Sequence, residues 1–85
     1  DIEVTPQAAE KMAELGLGFL GVEHFTVGTG ETGVQVHRIL LGAEIALLEA
    51  CTLEGVTAGE YLLVSPPLKY GGLDGAQARP LLLRD

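Results

Sequence analysis

Cysteine is nearly absent from this sequence: Cys51 stands alone among 85 residues. An internal disulfide is therefore excluded, and with it the covalent stabilisation on which small secreted domains depend. A reducing, cytoplasmic setting is the expectation. Basic residues are scarce too. Lys11, Arg38, Lys69, Arg79 and Arg84 face twelve acidic side chains, for a formal charge of -7. Clustered Lys and Arg carry most nucleic-acid affinity, so nucleic acid is not an expected partner. No apolar run approaches the roughly 20 residues of a membrane span, and Asp1-Ile2-Glu3-Val4 shows no basic stretch followed by an apolar one. Neither a membrane role nor a targeting segment is expected.

What the sequence does hold is apolar and punctuated. Hydrophobic residues make up 47% and mean hydropathy is +0.32, far from the composition of chains that cannot offset their conformational entropy by burial. The length admits one domain at most, so residues 1–85 are read as a single segment. Twelve glycines lie between apolar stretches, as turns of a compact fold do. Thr5-Pro6 predicts a helix start, Gln7 to Leu15 its body with an apolar stripe of Ala8, Ala9, Met12 and Leu15, and Gly16 its end. Leu17 to Val22 predicts a strand leading to a loop at Gly28 to Gly33. Val34 to Leu41 follows as a helix ended by Gly42, and Glu44 to Cys51 as a strand. Glu60 to Ser65 and Leu81 to Leu83 complete the order helix, strand, helix, strand, strand, strand, an α/β outline with a partial mixed sheet.

Four features could carry chemistry. Gly28-Thr29-Gly30-Glu31-Thr32-Gly33 spells G-x-G-x-x-G between a strand and a helix, and Glu49 lies 19 residues past Gly30, as in a dinucleotide fingerprint. Glu23 and His24 interrupt the plain apolar strand that such a fingerprint follows, and a flexible loop at a helix start explains the same residues. Glu49 itself is anomalous: strand alternation gives it the face of Ile45, Leu47 and Cys51, while Glu44 takes the face of Ala46, Leu48 and Ala50. A carboxylate among leucines asks for a cation or a metal; the other reading ends the strand at solvent. His37, among Val34, Val36, Leu40 and Leu41, reads either as a hydrogen-bonded core histidine or as a ligand. On one continuous helix His37 and Glu49 would be about 120° apart, but a reversal at Gly42 would let them converge, and His with Glu fits metal ligation better than acyl-enzyme chemistry. Cys51 reads as a small buried hydrophobe or a nucleophile.

The order and spacing of Val36-His37-Arg38-Ile39-Leu40-Leu41, Glu49, Leu53-Glu54-Gly55-Val56, Pro67-Leu68, Gly71-Gly72-Leu73-Asp74-Gly75 and Arg79 resemble the C-terminal half of the kynurenine formamidase and putative cyclase family of metal-dependent hydrolases. The likeness runs from Thr5-Pro6-Gln7-Ala8-Ala9 to the final leucines. It implies a portion of a swivelling β/β/α sandwich and a metal pair, usually zinc and sometimes manganese. In that family an N-terminal H-x-G-T-H-x-D-x-P cluster binds the metals together with one His and one Glu, which match His37 and Glu49. The chain departs from the pattern in three places. It has no such cluster, it carries Glu23 where Asp is common, and Ala76-Gln77 stands where Ser-Pro is common.

The resemblance thus implies hydrolysis of an amide, formamide or cyclic amide, with His37 and Glu49 as metal ligands; His24 reads either as a general base or substrate contact or as a surface loop histidine. The implied partners are a small-molecule substrate, further copies in a homo-oligomer, and either the N-terminal half of the same protein or a complementary subunit bearing H-x-G-T-H-x-D. A non-catalytic structural or interaction subunit is the alternative, and a nucleotide-binding module built on Gly28 to Gly33 a further one.

Overall fold

The computed structural model describes residues 3–84; Asp1, Ile2 and Asp85 lie outside the described residues, and so does the opening Asp1-Ile2 pair read above for a targeting signal. Elements follow in the expected order: α1 (Pro6–Glu14), β1 (Phe19–Gly21), α2 (Gly30–Gly42), β2 (Ala46–Leu48), β3 (Leu62–Val64) and β4 (Leu81–Leu83). The strands form two small sheets, one parallel and one antiparallel, where the sequence suggested one mixed sheet. Two compact units result, residues 1–55 and 56–85. No helix among the described residues is long and apolar enough to cross a membrane.

In the first unit β1 and β2 pair in parallel, with Leu20 opposite Leu47. Parallel neighbours need a crossover, which α2 provides, making a β-α-β unit. The paired region is shorter than the apolar runs predicted, because Glu44 and Ala50 adopt left-handed backbone, with φ of 61° and 59°. Strand alternation therefore stops just past Leu48. Ile45, just before the strand, is buried and Ala46 exposed, while Leu47 and Leu48 are both half-buried.

Both helices end in the same way. After α1, Gly16 at φ 72° lets its N–H reach the Ala13 carbonyl while Leu17 N–H reaches Met12. After α2, Glu44 N–H donates to Leu41 and Ile45 N–H to Leu40. This paired arrangement satisfies the last carbonyls of a helix and needs a left-handed residue, usually glycine, just beyond the cap. The reversal predicted at Gly42 lies instead at Glu44: α2 runs through Gly42, and Ile45 is turned inward against Leu40. At the other end α2 starts earlier than predicted, at Gly30 rather than Val34, and Glu3 stands at its N-terminus. The Glu3 carboxylate accepts from Thr29 N–H at 2.7 Å and from its hydroxyl at 2.9 Å, placing negative charge where the helix dipole favours it.

Thr5 caps α1, its Oγ1 accepting from Ala8 N–H at 3.1 Å. Of the predicted α1 stripe, Ala9 is buried and Ala8 and Met12 are half-buried. Leu15 is 71% exposed, because the helix ends before it and it serves as the C-cap. Ala9, Val27, Val36, Leu40 and Ile45 form the buried core, where α1 and α2 meet each other and α2 meets β2.

The second unit is an antiparallel ribbon of β3 and β4, Leu63 opposite Leu82, extended by a bridge between Pro67 and Ala78. Tyr61 ties its open end: the phenol donates to the Thr57 carbonyl at 2.6 Å, and Arg84 donates to the phenol oxygen at 3.2 Å. All the residues of β3 and β4 are exposed.

Candidate metal centre

His37 sits on the third turn of α2 and Glu49 one residue past β2, and the fold brings their side chains together. Nε2 of His37 lies 3.4 Å from Oε2 of Glu49, both side chains about one-third exposed. Each group is also held by a backbone atom. Nδ1 of His37 is 2.7 Å from the Gly33 carbonyl, and a carbonyl only accepts, so Nδ1 carries the proton and Nε2 is the atom presented to Glu49. Glu49 Oε2 accepts from Val27 N–H at 2.7 Å. Nε2 of His37 and Oε2 of Glu49 thus face each other at a spacing at which both could donate electron pairs to one cation. The donor set, one imidazole nitrogen and one carboxylate oxygen, suits zinc and is compatible with manganese. Among the described residues no group of three His, Cys, Asp or Glu side chains is placed to hold a metal, so His37 and Glu49 stand as a pair of donors without a third.

The anchors of both side chains are backbone atoms linked by one close contact. Gly28 and Gly33 pack against each other: a Cβ on Gly28 would stand 3.0 Å from the Gly33 Cα, and a Cβ on Gly33 would collide with the carbonyl group of Gly28. Gly33 supplies the carbonyl that orients His37, and Gly28 follows Val27, whose N–H orients Glu49. The glycine spacing read from sequence as a phosphate-binding fingerprint thus has a packing explanation. Its middle glycine, Gly30, is left-handed at φ 67°, and the last turn of the motif is already helix. Sequence reasoning saw these glycines and missed their role. It missed Glu3 outright, since no local signal joins residues 26 positions apart.

The remaining candidates sit nearby in sequence but are engaged in other ways. His24 opens the turn that carries Val27; its Nδ1 is 3.0 Å from the Thr26 carbonyl and its ring lies against Phe25 at 4.4 Å. His24 does not join His37 and Glu49 in a three-ligand cluster. Glu23 accepts from Leu53 N–H at 2.8 Å. Cys51 is half-buried, and its Sγ donates to the Val22 carbonyl at 3.3 Å, which ties the end of β2 back to the β1 side.

No protein-family model matches the chain. Among solved structures it is similar to a potential metal-dependent hydrolase with cyclase activity, with TM-score 0.89 and 32% identity over 96% of this chain and 41% of the other. It is equally similar to a predicted metal-dependent hydrolase from Bacillus stearothermophilus, with TM-score 0.88 and 32% identity over 96% of this chain and 40% of that one. The chain therefore spans less than half the length of either protein, and its two helices and two small sheets match a fragment of that hydrolase fold. The comparison supports the general group of metal-dependent hydrolases named from the sequence; formamidase specificity is not part of it.

Proposed function

We propose that this chain is the C-terminal part of a metal-dependent hydrolase of amides, formamides or cyclic amides, of the kynurenine formamidase kind, and that His37 and Glu49 are two ligands of its zinc or manganese site. The observation that carries this is the pairing of His37 Nε2 with Glu49 Oε2 at 3.4 Å, the imidazole oriented through its other nitrogen by the Gly33 carbonyl and the carboxylate through the same Oε2 by Val27 N–H. Ligating histidines are commonly fixed through their second ring nitrogen in this manner, which sets the tautomer and the ring direction. The rest of the coordination sphere comes from the N-terminal part of the same protein or from a complementary subunit carrying H-x-G-T-H-x-D.

His37 and Glu49 would help hold a divalent cation, which when bound would supply polarisation of a carbonyl and activation of water near neutral pH. The residues of this chain do the positioning. His37 offers Nε2 as the donor atom because Nδ1 is committed to the Gly33 carbonyl. Glu49 supplies negative charge, held by Val27 N–H at a fixed angle. His24, on the turn that carries Val27, is the candidate for proton transfer or substrate contact. A second reading, a structural or interaction subunit without catalysis, draws on the donor count, since the described residues offer two ligands together and no third.

Glu49→Gln in the complete assembly is the deciding variant. The carboxamide keeps the volume and can still accept from Val27 N–H, but it is a weaker ligand. Metal per protein is expected to fall at least about tenfold and formamide turnover with it, while the thermal melt is retained. Undiminished metal content and turnover would reduce Glu49 to a hydrogen-bond acceptor and remove the reading. An unaltered assembly that neither binds metal nor hydrolyses formamides would favour the non-catalytic subunit.

A further inference from the structure

The two backbone anchors of the His37–Glu49 pair are not held alike. The Gly33 carbonyl that orients His37 lies four residues back on the same helix, so α2 itself fixes that end. Val27, whose N–H orients Glu49, lies on the irregular stretch between β1 and α2. Its side chain is buried in the core, and its peptide is gripped by residues 3 and 4. Val4 N–H donates to the Val27 carbonyl at 2.9 Å. Two residues further on, one oxygen of the Glu3 carboxylate takes both the N–H and the hydroxyl of Thr29, at 2.7 and 2.9 Å. Gly28, between the two gripped residues, is pressed against Gly33.

Thr29 is the N-cap of α2, yet its hydroxyl makes no capping bond into the helix; it donates to Glu3 instead. Negative charge for the helix dipole is already present in the first turn, at Glu31. What Glu3 adds is a fixed place for Thr29, two residues from Val27. We infer that Glu3 is a positioning residue for Glu49: by clamping Thr29 while Val4 clamps Val27, it keeps the Val27 N–H where it holds the Glu49 carboxylate opposite His37. The consequence for metal binding rests on the reading of His37 and Glu49 as ligands, whereas the consequence for the Val27 N–H does not. Loss of a group that hydrogen-bonds a ligand directly commonly weakens metal binding about tenfold to a hundredfold. Glu3 acts one step further out, so its loss should cost several-fold.

Glu3→Ala, Glu3→Gln and Glu31→Ala test this, with Glu49→Gln as the reference. Glu3 and Glu31 are exposed, so none of the first three opens the core. The first readout is the Val27 amide in the full chain without metal, since a 2.7 Å bond to a carboxylate slows its exchange and moves its proton resonance downfield. Glu3→Ala should speed exchange at Val27 several-fold and move the resonance upfield, while the Leu40 amide inside α2 keeps its rate. Glu3→Gln, which retains an acceptor oxygen, should recover most of both, and Glu31→Ala should change neither. The second readout is the zinc dissociation constant of the complete assembly, expected to rise several-fold in Glu3→Ala, less in Glu3→Gln and not in Glu31→Ala. An unchanged Val27 amide in Glu3→Ala, or equal acceleration at Val27 and Leu40, would make Glu3 a helix cap only and overturn the inference. Glu31→Ala matching Glu3→Ala in both readouts would overturn it too, the effect then being one of charge. If Glu49→Gln loses zinc while Glu3→Ala does not, the ligand reading stands and the inference fails. If Glu49→Gln keeps its zinc, the ligand reading fails, and the Val27 amide alone supports or overturns the placement of Glu49 by Glu3.

Discussion

The two units carry comparable apolar material and put it to different use. In residues 1–55 every second or third apolar side chain of α1, α2 and the β2 approach converges on one centre, and Ala9, Val27, Val36, Leu40 and Ile45 are buried. In residues 56–85 leucine and valine fill both strands, yet Leu62 is 64% and Leu83 49% exposed. The difference is one of layers. The first unit has helices to lay over its sheet; the second is a two-stranded ribbon whose faces have nothing of its own to meet, and such a ribbon is marginal in water by itself. Apolar content alone therefore does not make a core. What makes one is a second element at the right distance, and in this chain only the β-α-β half contains it. Strands apolar on both faces belong to sheets covered on both sides.

That contrast can be broken or sharpened by substitution. Leu40→Ala should cost about 3 kcal/mol, as removal of a fully buried leucine does, whereas Leu82→Ala in the ribbon should cost under about 1 kcal/mol; urea unfolding of the chain measures both, and equal losses would show that the ribbon is as well packed as the helical half. Gly33→Ala should follow at about 2 kcal/mol, because the new methyl meets backbone that cannot turn aside. Its signature is local: amide exchange should accelerate at Val27 and across α2 while β3 and β4 stay as they were, and uniform acceleration would mean that the two units unfold together. Glu44→Gly should act in the opposite direction, gaining about 0.5 kcal/mol by relieving a left-handed non-glycine residue. A lower melting temperature for this variant would show that Glu44 is held there by something other than the helix end.

Much of this was legible in sequence because it is written locally. Thr5-Pro6 and Gly16 bound α1 within a residue, since a hydroxyl cap, a fixed proline φ and a left-handed glycine each act on their neighbours. The order of elements follows for the same reason, as does the inward turn of Ile45. The ends of β2 were not legible: nothing marks Glu44 or Ala50 as left-handed, and only the pull of Ile45 and Leu40 into one core accounts for the first. The site divides likewise. His37 and Glu49 stood out as a histidine and a carboxylate among aliphatics, and the structure places them side by side. Their anchors did not stand out, because Val27 N–H and the Gly33 carbonyl are backbone groups that any residue would have. The Glu3 contact with Thr29 is silent in sequence because it joins the start of the chain to the start of α2.

The contact between Gly28 and Gly33 has a consequence for which changes this region can accept. Written out, Gly-Thr-Gly-Glu-Thr-Gly looks like a linker, and exposed linkers are where chains ordinarily tolerate extra residues. Here both ends of the stretch are pinned by backbone touching backbone, and next to each pin is the atom that orients one of the paired side chains. The stretch works as a gauge block: its letters can vary at exposed Glu31, but its length sets the gap between imidazole and carboxylate. One inserted residue between Gly28 and Gly33 should misalign the pair more severely than many replacements within it.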